Sequence, residues 1–223
     1  TRLVYTSSIH ALRREPHGVV ITEDVPFDPS NPLGAYDRSK AEASLAVLEA
    51  ARNGLDAVIV CPTGVIGPHD YRKSEMGQLI AGWMTRKSHL IVDGGYDFVD
   101  VRDAAQGLIL AMQKGKSGEV YILSGEHIQL ARIREIVLEA FGGRSAGLFV
   151  PTWVARLAAL FSPFYYRITR SQPRFTSYSI ETVLSNSLIS HAKATRELGY
   201  TPRTLQQSIQ DTVNWWREQG WRE

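Results

Sequence analysis

The sequence predicts an α/β fold built on a parallel sheet with helices on both faces. Short apolar segments typical of buried strands alternate along the chain with longer segments of helical periodicity. Such alternation favours parallel strands connected by helices. The 223 residues suffice for one large domain or a domain and a half, and their composition is that of an ordinary globular protein.

The first half of the chain contains two predicted strands and two predicted helices. An apolar run predicts a strand over residues 2–7, and a loop then leads to a helix over residues 36–53. A second apolar run predicts a strand over residues 56–61, followed by a loop rich in Gly and Pro and a helix near 75–87.

The second half is predicted to be mainly helical. The expected elements are a helix at 101–115, a strand at 119–123, a helix at 130–141, a short strand near 147–150 and mostly helix thereafter. Two helix starts are marked, because Asp100 with Asp103 can cap one helix and Thr204 with Gln207 forms a capping box. Those carboxylates are therefore predicted to be caps rather than catalysts. The last helix is predicted to bury one apolar face, made of Leu205, Ile209, Val213 and Trp216.

Three residues could form an acid–base site. If residues 36–53 are helical, Tyr36 and Lys40 lie one turn apart on the same face. A free phenol has a pKa of about 10, and an adjacent ammonium would lower it toward the working range of a general acid–base. Ser8 follows an apolar run and could hold a carbonyl oxygen while Tyr36 transfers the proton. The spacing by itself is also typical of an exposed helical pair.

Four segments place this trio in a wider pattern: residues 4–8 (VYTSS), 36–42 (YDRSKAE), 61–68 (CPTGVIGP) and 98–105 (FVDVRDAA). In order and spacing they resemble the extended short-chain dehydrogenase/reductase superfamily, nearest to its dihydroflavonol-4-reductase-like branch. The resemblance continues through residues 121–123 and 193–203. It implies the C-terminal part of a doubly wound, Rossmann-type parallel sheet plus a smaller, mostly helical substrate domain.

The resemblance also implies domain limits. Residues 1–68 and 97–124 would belong to the NAD(P)-binding Rossmann domain, and residues 69–96 and 125–223 to the substrate domain. A Gly-rich phosphate turn between a first strand and helix is expected for such a site, but residues 142–147 (GGRSAG) follow a helix, the wrong order. The resemblance implies that the first strand here is the family's fifth, which ends at the catalytic serine, so the chain resembles the C-terminal two-thirds of a full-length enzyme. By itself it is expected to be inactive and not to bind NAD(P)H measurably.

Site residues follow from the same resemblance. The catalytic residues would be Ser8, Tyr36 and Lys40, with Lys40 also bonding the nicotinamide ribose. The cofactor is expected to be NAD or NADP, with NADP slightly favoured, and to contact Thr6, Ser7, Tyr36, Lys40, Cys61, Pro62, Thr63, Gly64 and Val65. The loops that would border the substrate pocket carry Ser8, His10, His69 and Tyr71.

These assignments predict an NAD(P)-dependent oxidoreductase that interconverts a ketone or aldehyde with its alcohol. One alternative is a nucleotide-sugar epimerase or dehydratase, which shares the three catalytic residues. Sugar-nucleotide relatives usually carry Arg and a later Asn where residues 61–64 read CPTG, and this departure favours the reductase. A non-catalytic NAD(P)-sensing module is a further alternative, against which the intact trio counts.

Composition disfavours several other classes. A net charge of +2 is too small to indicate a nucleic-acid partner, and the six histidines show no metal-ligand spacing. The single cysteine allows no internal disulfide, and no uncharged stretch approaches the roughly 20 residues that span a bilayer. A cytoplasmic protein without a metal, nucleic-acid or membrane partner is expected. In segment 153–175 the aromatic residues are predicted to be core and the arginines solvated, and the favoured functional alternative is a wall of the substrate domain.

The helix of Tyr36 and Lys40 has more apolar surface than one sheet face requires. One apolar stripe consists of Ala41, Leu45 and Leu48. A second face, made mostly of small residues, consists of Ala43, Ala46, Val47 and Ala50. In the resembled family this helix commonly packs in a two-fold four-helix bundle. The full-length protein is therefore expected to be a homodimer.

Overall fold

The computed structural model describes residues 1–85, 88–144, 146–157 and 177–220, which fall into two compact units. The first comprises Thr1–Val65, Asp97–His127 and Asn186–Leu205. The second comprises the described residues of Ile66–Tyr96, Ile128–Ser185 and Gln206–Glu223. Most of the aromatic and arginine segment 153–175 lies outside the described residues.

Strands and helices alternate through the chain. The strands are β1 (Leu3–Thr6), β2 (Ala57–Pro62), β3 (Gly64–Ile66), β4 (Ser88–Val92), β5 (Gly95–Asp100), β6 (Val120–Leu123), β7 (Glu126–Gln129) and β8 (Ala146–Val150). The α-helices with described bounds are α1 (Ala35–Arg52), α2 (Glu75–Thr85), α3 (Val101–Lys114), α4 (Leu130–Phe141), α5 (Ser177–Val183), α6 (Ala192–Leu198) and α7 (Leu205–Glu218). A single turn of 3₁₀-helix, Ile9–Ala11, follows β1.

The sheet of the first unit is parallel, as the alternation of elements predicted. Its order is β1–β2–β6, with Leu3 opposite Ala57 and Ile59 opposite Val120. The central strand β2 contains three consecutive β-branched residues, Val58 to Val60, and is buried from Ala57 to Cys61, which is the pattern of a strand covered on both faces. In the described residues β1 has β2 as its one neighbour in this sheet.

Helices cover both faces of this sheet. Val58 and Val60 of β2 share a core cluster with Ala111 of α3. Cys61, the next residue along the strand, lies close enough to Lys40 of α1 for the ammonium to influence its thiol. Because successive side chains of a strand point to opposite faces, α3 and α1 lie on opposite sides of β2.

Residues 186–205 pack with the first unit, whereas the sequence analysis assigned every residue after 124 to the second domain. Polar contacts explain their position. The Lys193 ammonium donates to Glu119 Oε2 at 2.6 Å, and the Tyr200 hydroxyl donates to the Ser124 carbonyl at 3.2 Å. The Tyr200 side chain is also fully buried in the same core cluster as β2 and α3.

The start of α3 confirms one predicted cap. The Asp100 carboxylate accepts a hydrogen bond from the Arg102 backbone N–H at 2.8 Å, as an N-cap residue should. Asp103, in the first turn, instead accepts from the Arg203 guanidinium through both carboxylate oxygens, at distances of 2.9–3.1 Å. This bidentate pair ties the chain just before α7 to α3.

The second unit contains a two-stranded parallel sheet of β4 and β8 and a contact between α2 and α4. Strands β3, β5 and β7 form a further sheet, in the order β3–β5–β7. The predicted apolar face of α7 is confirmed as core, since Leu205, Ile209, Val213 and Trp216 are all almost fully buried. Among the described helices, none combines the length and apolarity that crossing a bilayer requires.

Candidate active site at the end of the first strand

Two adjacent serines follow β1. The Ser7 backbone N–H donates to the Val60 carbonyl at 2.8 Å, which extends the parallel ladder by one residue. Ser8 then caps the 3₁₀ turn, because its Oγ accepts from the His10 backbone N–H at 3.2 Å. Accepting this bond leaves the Ser8 hydroxyl hydrogen able to donate to a ligand. The geometry therefore allows Ser8 to hold a substrate oxygen.

Lys40 is fixed at the same strand end. Its ammonium donates to the Thr6 carbonyl at 2.9 Å and lies 5.4 Å from the centre of the Tyr5 ring. Tyr36, in the first turn of α1, is 52% exposed. Burial raises the pKa of the Tyr5 phenol, and the nearby Tyr36 raises it further. Tyr36 and Lys40 thus both lie beside Tyr5, a residue that the sequence analysis did not select.

Asn31 connects the 3₁₀ turn to the beginning of α1. Its buried side chain donates to the His10 carbonyl at 3.3 Å and accepts from the Leu33 backbone N–H at 3.0 Å. Its own carbonyl accepts from the Arg38 guanidinium at 2.9 Å. These bonds hold the loop before α1 against the segment that carries Ser8. A lone Asn in a 23-residue loop gives no signal of this role in the sequence.

His10 lies near the Asp37 carboxylate, next to the trio. Burial lowers the pKa of His10, and the Asp37 carboxylate raises it in part. Asp37 is fully buried and adjoins Tyr36 in the chain. The structure therefore places His10, one of the predicted pocket residues, in the same unit as Ser8, Tyr36 and Lys40.

The end of β2 supplies the second group of predicted cofactor residues. Burial raises the pKa of the Cys61 thiol to about 12, and the Ser7 hydroxyl and Ser8 N–H partly offset this effect. Gly64 lies against the Phe98 ring so closely that a Cβ would be 2.6 Å from it. Since β1 and β2 are parallel neighbours, their carboxyl ends lie at one edge of the sheet, where open α/β sheets bind ligands.

Asp97 is a buried acid near this edge that the sequence analysis missed. Burial raises the pKa of its carboxyl to about 6, and the nearby Thr63 hydroxyl and the hydrogen bond from the Gly125 N–H partly offset the shift. The Gly125 N–H donates to Oδ1 at 3.0 Å. Perturbed acids of this kind are enriched at functional sites. In the sequence, Asp97 is one acidic residue in a mixed segment, and nothing there indicates its burial.

His69 and Tyr71 belong to the second unit, where they form an aromatic group with Trp215. The His69 and Tyr71 rings are stacked with centres 6.2 Å apart, and the Tyr71 ring meets the Trp215 ring edge-on at 5.3 Å. His69 has a φ of 69°, an uncommon left-handed conformation for a residue other than Gly.

A cleft of about 550 Å³ also occurs in the first unit. It is lined by Glu23, Arg52, Glu119 and Lys193, among others, and includes the residues immediately before β6. These residues lie at the amino ends of the parallel strands, whereas Ser8 lies at the carboxyl ends. Within the described ranges no cluster of His, Cys, Asp and Glu could hold a metal ion.

The residues at the carboxyl edge suit a hydroxyl-rich nucleotide. Lys40 offers an anchored ammonium, and Thr6 and Ser8 offer hydroxyls. The donor set thus fits the ribose and nicotinamide end of NAD(P), which Thr6, Ser7, Lys40 and the segment 61–65 would hold.

Comparison with known proteins shows the family of the chain. The model of the NAD dependent epimerase/dehydratase family matches residues 1–124. Sterol demethylase protein B of Methylococcus capsulatus is 34% identical over 98% of the chain, and a putative dihydroflavonol 4-reductase of Synechocystis is 30% identical over 99%. The chain spans 67% and 65% of the lengths of these two relatives.

Solved structures share the fold. The crystal structure of gox2253 superposes with a TM-score of 0.80 at 32% identity, covering 98% of this chain and 67% of that one. A nucleoside-diphosphate-sugar epimerase from Pseudomonas aeruginosa superposes with a TM-score of 0.78 at 25% identity, with the same coverage of both chains, 98% and 67%. Both similarities extend over almost the whole chain.

Proposed function

Because the chain belongs to the NAD dependent epimerase/dehydratase family, we propose that it carries the catalytic residues of an NAD(P)-dependent oxidoreductase that interconverts a ketone or aldehyde with its alcohol. The observation that carries the proposal is the arrangement at the end of β1. There the Lys40 ammonium donates to the Thr6 carbonyl and lies beside the Tyr5 ring. Tyr36 is near enough to Tyr5 to raise the pKa of its phenol. Ser8 follows Thr6 by two residues.

Each residue has a distinct role in this reaction. The Ser8 hydroxyl donates to the substrate oxygen and orients it. The exposed Tyr36 phenol gives a proton to that oxygen during reduction and removes it during oxidation. The Lys40 ammonium, held by Thr6, places a positive charge beside the phenol and has hydrogens left to bond the nicotinamide ribose. The cofactor, when bound, supplies or accepts the hydride.

An epimerase or dehydratase acting on a nucleotide sugar is the second candidate. It is supported by the similarity to the Pseudomonas aeruginosa epimerase and would use the same three residues. The segment 61–64 (CPTG) favours the reductase, because it departs from the motif of sugar-nucleotide relatives. A non-catalytic NAD(P) sensor would have no use for an exposed Tyr36 beside an anchored Lys40.

The test is a cofactor assay on the full-length protein. NADH and NADPH are offered separately with a panel of carbonyl compounds that includes a sterol ketone, a dihydroflavonol and a nucleotide sugar. The reductase predicts net consumption of the reduced cofactor with one carbonyl class, and NADP is the slightly favoured partner. Conversion of the nucleotide sugar without net consumption of cofactor would instead support the epimerase.

Lys40→Met tests the double role of the ammonium. We expect both turnover and cofactor affinity to fall, because the ammonium serves Tyr36 and the ribose alike. An unchanged cofactor dissociation constant in this variant would remove the ribose contact from the proposal.

We also propose that the full-length protein is a homodimer that packs through α1. Of the 18 residues of this helix, only Asp37, Ala41 and Ser44 are buried within the chain. Leu45 is 41% exposed although it belongs to the predicted apolar stripe. A second copy presenting the same face would cover it.

A further inference from the structure

A short chain of buried hydroxyls joins β1 to α1 beneath the candidate site. Ser7 Oγ and Ser44 Oγ are 2.7 Å apart, and the Ser44 hydroxyl donates to the Lys40 carbonyl, also at 2.7 Å. Ser7 is 3% exposed and Ser44 is fully buried. Water therefore cannot replace either bond, and leaving one of these groups unpaired would be costly.

The direction of these bonds follows from the donors available. A carbonyl oxygen only accepts, so the single hydrogen of Ser44 points to Lys40. Ser7 must then donate to Ser44 across their 2.7 Å contact. The hydrogens thus run one way, from Ser7 through Ser44 to Lys40. The two side chains come from the end of β1 and from α1, and they link these elements at one point.

The residues at both ends of the link adjoin the proposed catalytic groups. Ser7 precedes Ser8 in the chain, and the carbonyl that Ser44 holds belongs to Lys40 itself. A bond from a serine to a carbonyl four residues earlier is common in helices and would not by itself indicate a role. The additional bond to Ser7 ties the helix to the strand end that carries Ser8, together with the bond from the Lys40 ammonium to the Thr6 carbonyl.

We propose that Ser44 is a positioning residue, which through its bonds to Ser7 and Lys40 holds the Tyr36 and Lys40 turn of α1 in register with Ser8. This inference rests on the proposed function, because it assigns Ser44 a role in that same reaction. Displacement of reacting groups by about 1 Å can lower a rate by roughly a hundredfold. Loss of the Ser44 hydroxyl should therefore affect turnover far more than ligand binding.

The experiment compares Ser44→Ala with three other variants of the full-length protein, using the substrate found in the cofactor assay. Ser44→Ala is expected to lower kcat roughly ten- to a hundredfold while KM and the cofactor dissociation constant stay within about twofold. Ser44→Cys keeps a hydrogen donor at this position and should recover part of the loss. Ser124→Ala is the matched control, because it removes an equally buried hydroxyl at the end of β6. It should leave kcat unchanged.

Tyr36→Phe, measured in parallel, separates the two proposals. Inactive Tyr36→Phe together with wild-type kcat in folded Ser44→Ala would overturn the positioning role and leave the proposed function intact. Wild-type kcat in Tyr36→Phe would overturn the proposed function itself. If Ser44→Ala does not fold, Ser7→Ala breaks the same link from the strand side, and a wild-type kcat in that variant would equally overturn the role of Ser44.

Discussion

The buried acid Asp97 makes the stability of this protein depend on pH in a defined direction. Burial raises the pKa of its carboxyl from 3.8 to about 6 in the folded protein. The folded state therefore binds this proton more tightly than the unfolded state does. The associated stability is fully present below the unfolded pKa of 3.8 and is lost as the pH rises through about 6. Each pKa unit corresponds to about 1.4 kcal/mol, so the loss amounts to about 3 kcal/mol.

Asp97→Asn isolates this effect. The amide keeps an oxygen that can accept from the Gly125 N–H, which bonds Asp97 Oδ1 at 3.0 Å, but it does not titrate. Relative to the variant, the wild-type protein should lose about 2–3 kcal/mol of unfolding free energy between about pH 4 and about pH 7.5. Other titrating groups contribute to both proteins and largely cancel in the difference.

The assay is urea unfolding of both proteins at a series of pH values, with the difference in unfolding free energy plotted against pH. As the pH rises, we expect the difference in unfolding free energy to shift in favour of Asp97→Asn. A difference that does not vary with pH would show that the carboxyl has an ordinary pKa in the folded protein. If the difference in unfolding free energy instead shifted in favour of the wild type as the pH rises, folding would lower the pKa of Asp97. That result would refute the conclusion that burial raises it.

Two further predictions use other parts of the structure. Gly82→Ala should stabilise the protein by about 0.5–1 kcal/mol in thermal unfolding, because an added Cβ in α2 would meet no heavy atom within 4 Å. Gly107→Ala in α3 would drive the Cβ into the buried Leu123 side chain and should destabilise the protein by about 1–3 kcal/mol. Equal effects of Gly82→Ala and Gly107→Ala on stability would contradict this expectation. Leu45→Glu should convert the full-length dimer to a monomer in light scattering at micromolar concentration. A wild-type protein that is already a strict monomer would show that the exposed face of α1 packs within one chain.

The elements that the sequence predicts well are those with long or uniform patterns. Residues 36–53 were predicted helical and form α1 at Ala35–Arg52, while the run at 56–61 forms β2 at Ala57–Pro62. Local periodicity suffices in these cases, because one helix face or an entire strand is apolar. The same is true of α7, whose buried face was predicted residue by residue.

Strands β3, β4, β5 and β7 were not predicted, for a physical reason. β3 and β7 are only three and four residues long, and β5 buries the carboxylates of Asp97 and Asp100 among its apolar residues. Their strand conformation depends on partners distant in the chain, so no local pattern distinguishes them from loops. Some of the loop assigned after β2 is therefore sheet.

In the candidate site, too, local sequence patterns predict some features, whereas contacts between distant residues escape prediction. The spacing of Tyr36 and Lys40 follows from helix geometry, and the resemblance adds Ser8. The supporting contacts join residues far apart, such as Ser7 with Ser44, which are 37 positions apart, and Lys40 with Thr6, which are 34 apart. A single sequence does not reveal such pairs, because each depends on how β1 and α1 pack.

The central claim is that the Tyr36 phenol transfers the proton to or from the substrate oxygen. Steady-state turnover and cofactor affinity of the full-length Tyr36→Phe protein test it most directly, with Tyr121→Phe as a control that removes a remote phenol bonded to Glu197. We expect Tyr36→Phe to lower turnover by at least roughly a hundredfold and to leave the cofactor dissociation constant within about twofold, because the phenol acts on the substrate. Wild-type turnover in Tyr36→Phe would contradict the account.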